Sequence, residues 1–230
     1  STSITYVDWG DGNTNEYTGF TSSGSATHTY ANEGQYVIKV WCTGQYWLRG
    51  SSGTSGILGS STLNAALIKL YIGENYSQIA SSLLYDTKNI QVLNIPNDVT
   101  NTNLPSLFTY SCYSLRTMII PRNFTTQSYA TGGSNGLCNQ CYALKYLILP
   151  NSITQINVYL CNACYNLEKV VLPISVPTYY TDNSFNGCRS LKKVILPKDL
   201  VTVGRSMFEN CTQLTNIALP LTIAQISSRA

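Results

Sequence analysis

One seven-residue phrase, L-x-x-Φ-x-Φ-P with Φ apolar, constrains this chain more than any other feature, because it is written five times in 230 residues. The copies are LRTMIIP (Leu115 to Pro121), LKYLILP (Leu144 to Pro150), LEKVVLP (Leu167 to Pro173), LKKVILP (Leu191 to Pro197) and LTNIALP (Leu214 to Pro220). Two weaker copies precede them, IQVLNIP ending at Pro96 and LIKLYIG, in which Gly73 replaces the proline. The end points are separated by 23, 25, 29, 23, 24 and 23 residues. A period in the twenties with one leucine-rich strand per unit predicts a solenoid, which buries its core as stacked turns rather than as one globule.

The spaces between the phrases repeat as well. After the proline comes P-x-x-[VIL]-[TV]-x-[IV], as in PNSITQI (Pro150 to Ile156) and PKDLVTV (Pro197 to Val203). Next comes a phenylalanine or its equivalent, then Cys-x-x-Leu opening the next strand, as in FNGCRSL (Phe185 to Leu191) and FENCTQL (Phe208 to Leu214). Cys112, Cys141, Cys164, Cys188 and Cys211 all stand three residues before the leucine, which predicts a ladder of small buried side chains, one per turn. Cys138 and Cys161 add CNQC and CNAC, a double C-x2-C spacing normally read as zinc. The repeat phase explains the pair more simply: they fall where Phe185 and Phe208 fall in their own turns, so they are core positions and no metal is expected. Adjacent turns bring the ladder thiols within disulfide range, but parallel Cβ vectors oppose bonding, so reduced thiols are expected. Cys42 has no assignable partner. The 29-residue step holds an insertion, SYATGGSNG at Ser128 to Gly136, expected to protrude.

Residues 1–45 follow another rule. ITYVDWGDG alternates like a strand and breaks at an Asp-Gly turn, while ATHTY and GQYVIKVWC supply two further strand-like runs. The spacing WGDG…THTYANEGQYVIKV resembles the later part of the PKD domain family, an immunoglobulin-like β-sandwich, and implies a partial β cap. Asp8 and Asp11 admit a calcium reading, against which stands a turn whose carboxylates accept backbone N–H groups; the oxygen-ligand spacing of a dedicated calcium loop is missing. Residues 46–62, rich in Ser and Gly, read as a linker that could also wrap over the first repeat to bury Trp47 and Leu48. Residues 63–230 are the solenoid, of about seven strand-bearing turns.

The combined unit, strand phrase, post-proline pattern and F-x-x-C-x-x-L, resembles the BspA-type leucine-rich repeat family over about residues 63–226. The fold class expected is therefore a β-rich leucine-rich-repeat solenoid with a small N-terminal antiparallel β cap. That resemblance implies a microbial cell surface, an extracellular location and binding of a host or neighbouring-cell surface protein. The chain starts at Ser1 with neither an initiator methionine nor a signal-like stretch and reads as a mature or excised piece of a longer protein, monomeric as a fragment.

Catalysis finds no candidate. His28 is the single histidine and reads as a strand residue bonded locally; the Asp and Glu residues, 11 in all, form no repeat-defined pair, and WGDG lacks the lysine and helix of a phosphate loop. No cofactor is expected, and an enzyme is not. Charged residues are only 11% against roughly 25% in average proteins. The net charge of +3 reads as unclustered, which argues against nucleic acid. No apolar run approaches the roughly 18 residues of a membrane span.

Binding has two candidate surfaces. The residues two and four after each leucine should point outward across the strands. They include Tyr71, Ile119, Tyr146, Ile148, Lys169, Val171, Lys193 and Ile195, with Ile119, Ile148, Val171 and Ile195 forming an outward apolar column. Such a stripe is a contact surface or a plain consequence of the β-propensity of Val and Ile. Tyr113, Tyr142 and Tyr165, each following a ladder cysteine, form a second column that either binds glycan through its rings or covers the solenoid edge. The leading expectation is a non-enzymatic adhesion or recognition module using the strand face; a carbohydrate-binding accessory module and a structural spacer are the alternatives.

Overall fold

The computed structural model describes residues 4–18, 28–32, 34, 36–42, 46–48, 68–71, 76–79, 83–97, 102–105, 108–127 and 136–230. Most of the expected linker, residues 49–62, and nearly all of the insertion at Ser128 to Gly136 lie outside them, as do the side chains of Cys42, Trp47 and Leu48. Among the described residues the regular structure is all strand, with no helix.

The N-terminal strand Ile4–Asp8 pairs antiparallel with Thr14–Thr18 on one side and Lys39–Cys42 on the other. The Asp-Gly turn joins the first two, as its residues require. Gly10 and Gly12 have φ of 80° and 94°, and a Cβ on Gly10 would lie 2.6 Å from the carbonyl oxygen of Val37. His28–Tyr30, expected as a strand, pairs with none. Instead His28 stacks on Trp9 with ring centroids 4.9 Å apart, and Tyr30 donates its hydroxyl to the Trp9 carbonyl at 2.9 Å. Ring packing, rather than a ladder, holds this segment.

From Lys69 onward each turn carries the phrase read from sequence. The strands Lys69–Tyr71 and Val92–Asn94 pair in parallel, and so do Thr117–Ile119, Tyr146–Ile148 and Lys169–Val171. The last two turns join through single parallel bridges, Lys169 to Lys193 and Ile195 to Ala218. Alternation decides the burial. Leu144, Leu147 and Leu149 are buried, as are their counterparts Leu115, Met118 and Ile120, while the residues between them face out. The pattern after the proline makes a second parallel ladder, Asn103–Leu104, Thr126–Gln127, Gln155–Ile156 and Thr178–Tyr179, with Thr202–Val203 and Gln225–Ile226 continuing the series. Its apolar positions, such as Ile153, Ile156, Leu200 and Val203, close the core from that side. The stretch read as linker opens with a strand of its own: Tyr46–Leu48 pairs in parallel with Tyr76–Ile79, so parallel pairing begins ahead of residue 63.

Among the described residues the third side of each turn contains no strand. There the residue just before the ladder position takes a left-handed backbone in six described turns: Asp86, Ser111, Gln140, Ala163, Gly187 and Asn210. That conformation swings its N–H toward the next turn. Asp86 N donates to Tyr110 O (2.9 Å), Ser111 N to Asn139 O (3.0 Å), Gln140 N to Asn162 O (2.8 Å), and Ala163 N to Asn186 O (2.7 Å). The ladder thiols bond the opposite way, each to the carbonyl of the previous turn. Cys112 donates to Leu84 O at 3.1 Å, Cys141 to Thr109 O at 2.9 Å, Cys164 to Cys138 O at 2.9 Å, and Cys188 to Cys161 O at 3.2 Å. Stacking thus bonds the backbone along the axis in both directions.

Candidate binding face on the strand ladder

The outward column is a property of register. Ile148 lies level with Ile119 on one side and Val171 on the other, and Ile195 bridges to Ala218. All four are exposed, from 38% at Ile148 and Val171 to 58% at Ile119 and 72% at Ile195. Beside them runs the column Thr117, Tyr146, Lys169 and Lys193, likewise exposed. The structure therefore brings together seven of the eight expected residues. Tyr71 is exposed in the same column, but Asn94 is its ladder neighbour and separates it from Ile119.

A third outward column, one residue after each leucine, escaped the reading of alternating positions: Arg116, Lys145 and Lys192, which are exposed, and Glu168, which is half-buried. With it the charge pattern changes. Lys145 Nζ lies 3.0 Å from Glu168 Oε1. Among the described residues no carboxylate comes within ion-pair distance of Arg116, Lys169, Lys192 or Lys193. The strand segments from Leu115 to Leu196, with Arg189 just ahead of the last of them, hold six cations and one carboxylate, Glu168. Charge is accordingly segregated, and the expectation of an unclustered +3 is corrected. Residues 101–230 hold 10 Lys and Arg against 4 Asp and Glu, a net +6, whereas residues 1–100 hold 4 against 7, a net −3. The whole-chain sum hid this, and the signal that shows it is the position one after the leucine.

The tyrosine column stacks on itself. Ring centroids of Tyr113 and Tyr142 are 4.5 Å apart with planes 13° from parallel, and those of Tyr142 and Tyr165 are 4.9 Å apart at 4°. Lys88 Nζ sits 5.9 Å from the Tyr113 ring centroid, and the Arg189 guanidinium covers Tyr165 at 4.7 Å. Each ring face thus meets another ring or a cation, leaving mainly edges and hydroxyls to solvent. Burial first, then the neighbouring phenols of Tyr113 and Tyr165, push the Tyr142 hydroxyl above its ordinary pKa.

The thiols are packing groups in this geometry. Cys112, Cys138, Cys141, Cys161, Cys164 and Cys188 are fully buried and free, and Cys211 is free and half-buried. Cys138 and Cys161 occupy the column of Phe185 and Phe208, with Cys138 Sγ 3.2 Å from Met118 Sδ. Burial pushes the thiols of Cys112, Cys138, Cys161 and Cys188 well up, and that of Cys211 to about 11. Among the described residues no group of three or more His, Cys, Asp or Glu is placed to hold a metal ion. In the N-terminal turn Asp8 accepts the N–H of Gly10 at 2.9 Å, Asp11 accepts that of Asn13 at 3.1 Å, and Asp11 also pairs with His28 at 2.7 Å. The His28 bond comes first in holding the Asp11 carboxyl below its ordinary range.

The family model described as BspA type leucine rich repeat region, in six copies, matches residues 57–137 and 133–230. The chain belongs to this family. A crystal structure of a leucine-rich repeat protein from Eubacterium ventriosum is similar to this BspA-type chain at 28% identity and TM-score 0.60, covering 72% of this chain and 43% of the other. One from Bacteroides ovatus gives 22% and 0.52, covering 70% and 45%. The leucine-rich repeat protein of T. pallidum gives 19% and 0.56, covering 75% and 72%. At these identities the last two speak for the fold alone. The match spans less than half the length of the first two proteins. No curated protein matches the chain.

Proposed function

We propose that this chain is a non-enzymatic adhesion or recognition module of a microbial cell surface, binding a protein partner through the strand face. One observation carries the reading: Ile119, Ile148, Val171 and Ile195 stand exposed in four successive turns of the ladder. Strand propensity accounts for β-branched residues singly, but four in one column form a continuous apolar stripe, the usual mark of a contact surface. BspA-type repeats are typical of bacterial surface proteins, which supports the surface setting. A glycan site on Tyr113, Tyr142 and Tyr165 has less support, because sugars stack on ring faces and these faces are taken.

The test is a binding screen of the purified chain against host matrix proteins and a polysaccharide array, run beside Ile119→Asp/Ile148→Asp/Ile195→Asp. These positions are exposed, so the core is untouched and the variant should stay folded, melting somewhat below the parent because carboxylates at 119 and 148 adjoin on the ladder. The reading expects a protein hit that the triple variant loses. A glycan hit that survives the triple variant moves the site to the tyrosines. Binding to nothing leaves a spacer.

A further inference from the structure

The cations of the strand face bear on what kind of partner fits it, and this step rests on the strand-face reading above. Lys169 and Lys193 are direct ladder neighbours, and Lys192 adjoins them. Like charges side by side across strands destabilise a sheet, and among the described residues no carboxylate lies in ion-pair range of either lysine. Arg116 is likewise exposed, with no described carboxylate in ion-pair range. Among the described residues the one acid on the face, Glu168, is already held by Lys145. The carboxylates that would balance the charge, Asp182, Asp199 and Glu209, are spent elsewhere. Asp182 accepts Arg205 N at 2.8 Å, Asp199 binds Ser175 and Val176, and Glu209 lies 3.9 Å from Arg229.

Beside these cations runs the apolar column. Four strands about 4.8 Å apart make it about 14 Å long, close to three turns of an α-helix. We infer that the strand face receives an acidic amphipathic protein segment, whose apolar side chains cover Ile119, Ile148, Val171 and Ile195 and whose carboxylates meet Lys169, Lys192, Lys193 and Arg116. A sulfated polysaccharide or a nucleic acid would satisfy the cations, but its backbone offers nothing apolar to cover the isoleucines. A neutral apolar surface would cover the isoleucines and leave adjacent lysines desolvated without counter-charge. Only a partner with both features satisfies both columns.

The probe is a synthetic amphipathic helical peptide of about 20 residues, with Leu along one face and Glu beside it. Its control is the same peptide with Lys for Glu. Binding is read by fluorescence anisotropy, with heparin as competitor. The acidic peptide is expected to bind at least about tenfold tighter than the control and to weaken about tenfold between about 50 and about 300 mM salt, as screening shortens the reach of exposed charges. Lys169→Glu/Lys193→Glu should remove that preference, Ile148→Asp should remove binding, and Lys198→Glu, in the turn beyond the strand, should change neither. Equal binding of the two peptides, or heparin displacing the acidic peptide through the same lysines at far lower concentration, overturns the inference. In the first case, loss of both peptides in Ile148→Asp still keeps the strand face as the binding surface. Binding of neither peptide also overturns the inference, and the protein screen above then decides the strand-face reading by itself.

Discussion

Ala163 holds φ at 57° in a column where glycine appears once, at Gly187 with φ 77°. A left-handed backbone costs a residue with a Cβ roughly 1 kcal/mol, and the column spends it to aim an N–H at the next turn. Ala163→Gly should therefore raise the urea midpoint by the equivalent of about 0.5–1 kcal/mol, less than the full strain because glycine is freer when unfolded. Gly187→Ala should lower it by about 1 kcal/mol. A Cβ there would meet nothing closer than 3.5 Å, so only the backbone objects. Opposite signs at equivalent sites would show that conformation governs this column; equal signs would refute that account. The thiol ladder obeys a similar positional logic: a thiol carried on a single methylene reaches the previous turn's carbonyl, and a larger side chain would push the turns apart.

Between elements, the turns after the prolines tie one repeat to the next. Asp199 is an example. Burial opposes its ionisation, but the Ser175 hydroxyl and the Val176 N–H, at 2.9 Å, outweigh that and hold its carboxyl below the ordinary range. A carboxyl depressed on folding adds stability that is full above the unfolded value of about pH 4 and is lost as pH falls through the lower folded value. Asp199→Ala should cost about 2 kcal/mol at pH 7. That cost should fall as the melting series is carried into acid, by the part that depends on the charge, since a protonated carboxyl can still accept the Val176 N–H. A cost independent of pH would show that the side chain acts by packing alone.

On the scale of the whole molecule, a solenoid is stabilised by neighbours on both sides of each turn, and within residues 1–230 the turn from Leu214 has one. Leu219, Leu221 and Ile226 are 44%, 105% and 61% exposed, and Leu214, Ile217 and Ile223 are only partly covered, whereas Leu144, Leu147 and Leu149 are buried. Native-state hydrogen exchange should report this directly. Amides near Leu147 and Val170 should exchange only with global opening, and those of Gln225 and Ile226 orders of magnitude sooner. Uniform protection from residue 140 to 226 would mean one cooperative unit and overturn the picture of stacked turns. Charge is also read at this scale, since +6 over residues 101–230 becomes a basic face only when turns with widely separated sequence numbers stand side by side.

Reading forward from the amino acids, the turn is legible because its grammar is local. Leu144, Leu147 and Leu149 alternate with Tyr146 and Ile148, and the period repeats that alternation until one register places Ile148 between Ile119 and Val171. Cys138 and Cys161 could be taken out of a zinc motif for the same reason: their phase matched Phe185 and Phe208. The strand at Tyr46–Leu48, hidden in a Ser- and Gly-rich stretch, had no periodic neighbours to announce it, and it forms by pairing in parallel with Tyr76–Ile79. The stacking of Tyr113, Tyr142 and Tyr165, the cations over the end rings and the unneutralised Lys169 and Lys193 were settled only by the fold. Side-chain direction within a strand follows from the chain's own period, but which charges and rings meet depends on distances between residues 22 to 29 positions apart, and those distances are set when the turns stack.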